Sequence, residues 1–160
     1  MAVPACLRDY LDKQGVPYAV VTHPTAFTAQ EEAAVMHLPG RYWAKTVVCF
    51  ADNEPIMAVV PAPSSVDLER LRALAGAKKL RLAEEGEIAT LYADCEAGAM
   101  PPLGPMYGQR VFVDAQLTRD PEVVFNAGTH MDAIRMRYGD LASLVKPVVG
   151  EFGRPPKQPK

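Results

Sequence analysis

The feature of this chain that most constrains its fold is a run of apolar, β-branched and aromatic residues from Tyr42 to Phe50, YWAKTVVCF. The run has no alternation of polar and apolar residues, which is typical of a strand buried on both faces. A turn sequence, ADNEP at 51–55, and a second apolar run, IMAVVPA at 56–62, follow directly. The sequence therefore predicts a β-hairpin whose first strand is buried.

Lys45 is the one charged residue within that first apolar run. A lysine is almost never fully buried without a partner, because the charged ammonium loses its hydration. Two interpretations follow from the residues alone. Either Lys45 projects into a cleft where a ligand pairs with it, or its aliphatic stem is buried while the ammonium reaches solvent from the exposed start of the strand.

The rest of the sequence predicts helices and strands that are mixed irregularly. Helix signals, from apolar spacing and capping residues, cover 4–14, 28–38, 64–77, 84–92 and 141–146, the last of these capped by Asp140. Strand signals outside the hairpin cover 18–23, 78–83, 109–114, 122–128 and 133–138. Because regular βαβ alternation is lacking, we expect an α+β fold with a barrel-like mixed sheet.

The length of 160 residues suits one domain with a substantial core and is too short for two. We expect residues 1–147 to form that domain. Residues 148–160 include GEFGRPPKQPK, which has three prolines and no apolar period, and they are expected to form a flexible tail. No apolar run approaches a membrane span, and charged residues occupy the place of a secretory signal core, so we expect a cytoplasmic protein.

Charge and cysteine content exclude several classes of function. The net charge of −2 disfavours a protein that grips a long stretch of nucleic acid, and no DNA partner is expected. A basic cluster is interpreted as a solvated helix face, although a local basic patch stays open. Its members are Arg70, Arg72, Lys78, Lys79 and Arg81. The three cysteines form no C-x-x-C pair, which argues against a disulfide framework and a structural zinc site.

An uncharged loop, AGAMPPLGPMYG at 97–108, contains three glycines and three prolines. Exposed loops are usually more polar, so the composition suggests a rigid wall that approaches something closely. Its backbone N–H groups would suit an oxyanion or a carbonyl oxygen. The alternative is a tight structural connection packed on the core.

A second candidate segment is NAGTHMD at 126–132, where a predicted strand ends in Gly-Thr-His. His130 is either a general acid or base or a hydrogen-bonded structural histidine. His23 and His37 are expected to be structural or exposed, and no histidine spacing indicates a metal site. Cys95 precedes the glycine loop and is a weaker candidate for a reactive thiol.

Three segments in order, WAKTVV, GAMPPLGP and VVFNAGTHMDAIRM, resemble the YbaK/prolyl-tRNA-synthetase-associated editing domain family, which includes free-standing aminoacyl-tRNA deacylases. The early segment THPTAFTAQEEA is similar to the family's first strand and helix. The resemblance covers 5–147. It implies a mixed α/β domain around a curved, barrel-like sheet of six or seven strands flanked by helices.

The resemblance also implies roles for individual residues. Lys45 corresponds to the family's lysine, which orients the terminal adenosine and its phosphate. The G-x-x-x-P loop corresponds to Gly98–Pro102, extended here to Gly104, and its amides hold the aminoacyl carbonyl. The implied catalytic set is Lys45, Gly98, Ala99, Met100 and His130. The implied substrate-binding set is Pro102, Leu103, Gly104, Gly128, Thr129 and Met131. The doubled Pro101-Pro102 removes one amide donor from the loop.

The implied function is hydrolysis of the ester that joins a wrong amino acid to tRNA. This reaction serves translation fidelity. A small amino acid such as Ala or Cys on tRNA-Pro is the expected substrate. The expected partners are the acceptor end of aminoacyl-tRNA and an aminoacyl-tRNA synthetase, with no membrane, no metal and no cofactor. Two alternatives stay open: a non-catalytic adaptor that binds a nucleotide end or a synthetase in the same cleft, and a hydrolase that uses Cys95.

Overall fold

The computed structural model describes residues 4–22, 43–96 and 98–155. The helix predicted from Thr28, together with His23, His37 and Tyr42, lies outside the described residues. The prediction for that segment therefore stays a prediction.

Four α-helices lie in the described part of the chain: α1 (Ala5–Gln14), α2 (Leu68–Ala75), α3 (Glu85–Leu91) and α4 (Tyr138–Val145). Local sequence sets their ends. Gly15 adopts a left-handed conformation, with φ of 69°, and ends α1. The Asp67 carboxylate begins α2 by accepting hydrogen bonds from two backbone N–H groups of its first turn, each at 3.1 Å. The predicted cap of α4 is wrong, because Asp140 lies within its first turn, where a carboxylate favours the helix dipole instead.

Ten strands are formed by the described residues: β1 (Tyr18–Thr22), β2 (Trp43–Ala51), β3 (Glu54–Pro61), β4 (Ser65–Val66), β5 (Leu80–Leu82), β6 (Arg110–Asp114), β7 (Glu122–Asn126), β8 (Asp132–Arg137), β9 (Val148–Gly150) and β10 (Gly153–Arg154). The main sheet has the order β1-β8-β7-β2-β3-β6-β9, and β5 also pairs with β2. Both parallel and antiparallel pairs occur in it. The predicted α+β fold with a mixed sheet is confirmed; the main sheet has eight described strands rather than six or seven.

The predicted hairpin is formed by β2 and β3. Asp52 and Asn53 both have positive φ, 49° and 72°, which is the geometry of a tight two-residue hairpin turn. The antiparallel register places Lys45 opposite Val60. This register follows from the turn, since a hairpin turn fixes which residues of its two strands are opposite.

The other edge of β2 changes partner along its length. Trp43 and Ala44 pair in parallel with β7, whereas Cys49–Ala51 pair antiparallel with β5. Residues 45–48 lie between these two ladders. Lys45 is thus placed where the sheet passes from one neighbouring strand to another.

Each face of the sheet carries a core. The larger core contains Val48, Val113 and Phe125 and is closed by α1 and α4. The other contains Cys49, Ala58 and Phe112 and is covered by α2 through Leu71. This two-sided burial explains the absence of polar alternation in β2 and β3.

The predicted flexible tail from residue 148 is wrong as far as Arg154. Strand β9 pairs in parallel with β6, β10 pairs with β4, and Phe152 is fully buried. The buried Asp114 carboxylate accepts hydrogen bonds from the N–H groups of Phe152 and Gly153. These tertiary contacts order a segment whose local composition favours disorder. Residues 156–160 lie outside the described residues.

Candidate functional site

Two loops predicted to carry the chemistry are joined to each other by backbone hydrogen bonds. The N–H of Glu96 donates to the Gly128 carbonyl at 2.8 Å, and the N–H of Gly128 donates to the Ala99 carbonyl at 2.9 Å. The Glu96 carboxylate also accepts from the N–H of His130 at 2.9 Å. The start of the 98–104 loop and the 128–130 turn therefore form one rigid unit, although about thirty residues separate them in sequence.

Gly98 and His130 lie in contact within this unit. A Cβ atom on Gly98 would lie 3.6 Å from His130 Cε1 and 3.8 Å from Nε2. Gly98 is exposed and has a φ of 82°, while His130 is only 7% exposed. Two residues of the predicted catalytic set are thus brought together, and the positive φ explains why glycine occupies position 98.

Gly128 is required for a second reason. Its φ is 89°, and a Cβ atom there would lie 2.7 Å from Pro4 Cδ. Pro4 stands at the start of α1, so the close approach at Gly128 lets α1 pack directly against the 128–130 turn. The N-terminal helix therefore supports the candidate site.

The turn after Gly128 is held by Thr129 and Asp132. The Thr129 hydroxyl donates to Asp132 Oδ2 at 2.7 Å and accepts from the N–H groups of Met131 and Asp132. Thr22 in β1 donates its hydroxyl to Asp132 Oδ1 at 3.0 Å. These hydrogen bonds hold the backbone of the 129–132 turn, in which Met131 is 41% exposed.

The predicted 98–104 loop is largely packed inward. Met100 and Leu103 are buried in the larger core, and Pro102 is buried as well. Gly104 has no space for a side chain, since a Cβ atom would lie 2.4 Å from the Gln109 carbonyl oxygen. The structural interpretation of this loop therefore holds for its second half, and only its beginning at Gly98 is exposed.

The loop amides differ in their availability. The N–H of Ala99 donates to the Glu96 carbonyl at 3.0 Å and is engaged. The N–H groups of Gly98 and Met100 have no acceptor among residues 4–22, 43–96 and 98–155. Of these two residues, Gly98 is exposed and Met100 is buried. Gly98 is therefore the best-placed donor for a carbonyl oxygen from a ligand.

Lys45 is partly buried, and this burial lowers the pKa of its ammonium below the ordinary lysine value. No described residue forms an ion pair with it. Beyond the last parallel pair, Ala44 with Phe125, the next residues along the two strands are Lys45 and Asn126. Alternation along the strands places their side chains on the same face.

Asn126 is an unpredicted member of this region. It is 5% exposed, and its side-chain oxygen is buried without a hydrogen-bond partner in the described structure. Buried polar atoms are normally satisfied, so an unpartnered acceptor on the strand next to that of Lys45 makes Asn126 a further candidate for the site. Two other contributors, Glu96 and Asp132, were also missed. The sequence signal was weak: a polar residue at the end of an apolar strand, and single acidic residues flanking the two motifs.

Cys95 is not activated as a nucleophile. Its thiol lies 3.6 Å from the Tyr107 hydroxyl, and burial raises the pKa of Cys95 above its ordinary value. Since the thiolate is the nucleophilic form, a raised pKa opposes reactivity. The Tyr107 ring packs edge-to-face on Tyr92, with 4.8 Å between ring centroids, so this cluster is part of the packing below the loop.

Among the described residues, no group of three His, Cys, Asp or Glu side chains could hold a metal ion. None of the helices there combines the length and apolar character that a membrane crossing requires.

A family model described as an aminoacyl-tRNA editing domain matches residues 23–144, well over half of the chain. This chain belongs to the aminoacyl-tRNA editing domain family. The match spans Lys45, the 98–104 loop and the 128–130 turn, and it confirms the resemblance drawn from the motifs.

Curated relatives of this editing domain include proline–tRNA ligases. The ligase of Nitratidesulfovibrio vulgaris strain Hildenborough is 30% identical over 133 residues, covering 77% of this chain and 23% of the ligase. The ligase of strain DP4 is 29% identical over the same length. The chain therefore spans less than a quarter of the length of these relatives.

Solved structures share the fold. A candidate trans-editing enzyme for prolyl tRNA synthetase superposes with a TM-score of 0.80 at 24% identity, covering 94% of this chain and 98% of that chain. A hypothetical protein superposes with a TM-score of 0.84 at 18% identity, covering 93% of this chain and 99% of that chain. At these identities the likeness concerns the architecture, and it agrees with a single editing-domain fold.

Proposed function

We propose that this editing domain is an aminoacyl-tRNA deacylase that acts in trans on mischarged tRNA-Pro, with Ala or Cys as the amino acid removed. The observation that carries the proposal is the docking of the Gly98 loop onto the His130 turn. The N–H of Gly98, an exposed residue, is thereby held beside His130 and has no acceptor among the described residues. Membership of the editing family supplies the reaction class, and the ligase relatives favour tRNA-Pro.

The proposed reaction needs little beyond positioning. Water adds to the ester carbonyl carbon, and the resulting oxyanion accepts a hydrogen bond from the N–H of Gly98. The C–O bond to the ribose then breaks. The ribose oxygen recovers a proton, and the free amino acid leaves as its carboxylate. His130 or the neighbouring ribose hydroxyl orients the water. An aminoacyl ester is already activated, so positioning and polarisation, each worth several kcal/mol, suffice.

Lys45 has a separate role in this proposal. Its half-buried, unpaired ammonium gains a partner when the phosphate of the terminal adenosine binds. Met131, exposed beside His130, is a proposed wall for the amino-acid side chain. Discrimination among small side chains by pocket size is intrinsically weak, which is why synthetases need a separate editing step.

The experiment that tests the proposal is deacylation of Ala-, Cys-, Ser- and Pro-tRNA-Pro by the purified protein. We expect hydrolysis of Ala- or Cys-tRNA-Pro, with Pro-tRNA-Pro preserved. A Cys95→Ala variant is expected to retain the activity, because burial raises the pKa of this half-buried thiol and opposes its use as a nucleophile. Binding of tRNA without hydrolysis of any substrate would favour the adaptor alternative, and loss of activity in Cys95→Ala would favour the cysteine hydrolase.

A further inference from the structure

A basic cleft lies on the opposite end of β2 from Lys45. Its volume is about 640 Å³, and it is formed where the β2–β3 turn, α2 and β5 meet. Four cations line it, Arg72, Lys78, Lys79 and Arg81, together with the two acidic residues Asp52 and Glu69. The lining therefore carries a net charge of +2, from four positive and two negative groups, on a chain whose net charge is −2.

The two acidic residues in the cleft are already engaged. The Asp52 carboxylate accepts hydrogen bonds from the N–H groups of Lys78 and Lys79, at 2.9 to 3.1 Å, and these bonds lower its pKa. Glu69 pairs with Arg72. The Asp52 carboxylate thus holds the backbone of residues 78–79 through the N–H groups of Lys78 and Lys79.

The two lysine side chains remain available. Lys78 and Lys79 are exposed, and no described acidic side chain forms an ion pair with either. Asp52 holds the backbone of both lysines, so their side chains extend from fixed positions at the cleft. Two exposed lysines that no carboxylate holds in an ion pair are suited to contact phosphate groups of a polyanion.

The planar guanidinium group of Arg81 lines the same cleft. The Arg81 guanidinium lies over the Phe50 ring, 4.6 Å from its centroid, and forms a bidentate pair with Glu87. Stacking and pairing hold Arg81 in one orientation at the rim of the cleft. Arg70, the fifth member of the basic cluster in the sequence, instead pairs with Asp67 and lies outside the lining.

We propose that this cleft binds the phosphate backbone of the tRNA whose aminoacyl end lies at Lys45. The inference rests on the proposed function. Asp52 lies seven residue steps along the chain from Lys45, or about 23 Å at ~3.3 Å per step. One nucleotide cannot span that distance, so the cleft contacts the tRNA backbone beyond the terminal adenosine. The charge balance of the chain is then explained by a small local patch instead of a broad basic surface.

The test compares Lys78→Ala/Lys79→Ala with a matched control, Lys13→Ala/Arg137→Ala, which removes two exposed cations elsewhere. Affinity for deacylated tRNA-Pro is measured by fluorescence anisotropy between about 50 and 200 mM salt. We expect the cleft variant to bind about tenfold more weakly, with the slope of log K against log salt reduced by about 2. The control is expected to match the wild type. Equal affinity and slope in the cleft variant and the wild type would overturn the proposal.

A second readout separates this inference from the proposed function. For the wild type and the cleft variant, kcat/KM is measured with aminoacyl-tRNA and with 3′-aminoacyl-adenosine 5′-phosphate, which keeps the phosphate proposed to pair with Lys45 and is too short to reach the cleft. We expect the ratio of the two values to fall about tenfold in the variant. An unchanged ratio would contradict the cleft while leaving deacylation intact. If the wild type hydrolyses neither substrate, the proposed function fails, and the binding measurement alone decides the cleft.

Discussion

The ring of His130 packs against the backbone of Gly98, with Cε1 3.6 Å from the position that a Cβ atom would occupy there. The contact joins a loop that precedes β6 to a turn that follows β7. It exists because backbone hydrogen bonds between Glu96, Ala99 and Gly128 hold the two segments together. The geometry of this junction leads to the first two predictions.

Gly98→Ala is expected to reduce kcat for deacylation about 10- to 100-fold. There is room for the methyl group, but an alanine at φ of 82° is strained by about 1–2 kcal/mol and will shift the N–H donor. Gly108→Ala is the matched control, since Gly108 has φ of 67° and no neighbour within 4 Å. Both variants should lose similar stability in urea denaturation, and only Gly98→Ala should lose activity. Equal activity in the two variants would contradict the assignment of Gly98.

Gly128→Ala is expected to destabilise the protein by more than Gly98→Ala. Both residues have a positive φ, but only at position 128 would the new methyl group also clash, 2.7 Å from Pro4 Cδ. Replacing Pro4 by alanine removes both ring atoms that clash. The double variant Pro4→Ala/Gly128→Ala should therefore be more stable than the sum of the two single changes predicts. If the changes in free energy of unfolding of the two single variants simply add in the double variant, Pro4 does not contact residue 128 as described.

Asn126→Leu tests the buried, unpartnered oxygen on the strand next to that of Lys45. Removing an unsatisfied buried acceptor while keeping the branched shape of the side chain should leave the free energy of unfolding unchanged or raise it. Deacylation should nevertheless fall, since the oxygen is expected to orient Lys45 or the bound substrate. Chemical denaturation and steady-state kinetics on the same preparation check both parts. A less stable variant with full activity would show that Asn126 has only a structural role.

Alkaline conditions provide a test of the core around β2. Burial raises the pKa of Cys49 to about 11 from an ordinary value of 9.0. In the unfolded chain the thiol ionises first, so the folded state holds more protons between pH 9 and 11, and stability falls as pH rises through that window. The loss attributable to this group is about 3 kcal/mol. Cys49→Ala should show a shallower decline than Cys6→Ala, in which an exposed thiol is removed. Parallel declines would contradict the burial of Cys49.

Local signals in the sequence were sufficient for most secondary structure. The end of α1 at Gly15 and the β2–β3 turn at Asp52 and Asn53 depend on backbone conformations that nearby residues determine. The motifs also made Lys45, Gly98 and His130 candidates for the site, because each departs from its surroundings in a way that core packing does not require. Family resemblance then indicated the proposed reaction class, which no local pattern states.

Long-range contacts could not be predicted in the same way. The order of Phe152 depends on hydrogen bonds from its segment to Asp114, 38 residues earlier, and no periodicity near 152 indicates this. The role of Glu96 depends on its contact with His130, and that of Asn126 on the parallel pairing of β2 with β7. Each of these is a property of the assembled sheet and not of a local segment.

The most direct test of the central claim is the single-turnover rate of Ala-tRNA-Pro deacylation by the wild type and by Lys45→Met. Methionine keeps the length of the buried stem and removes the charge, so the variant should be at least as stable as the wild type. The account predicts rapid hydrolysis by the wild type and a rate near that of the uncatalysed reaction for the folded variant. Equal rates for the two proteins would contradict it.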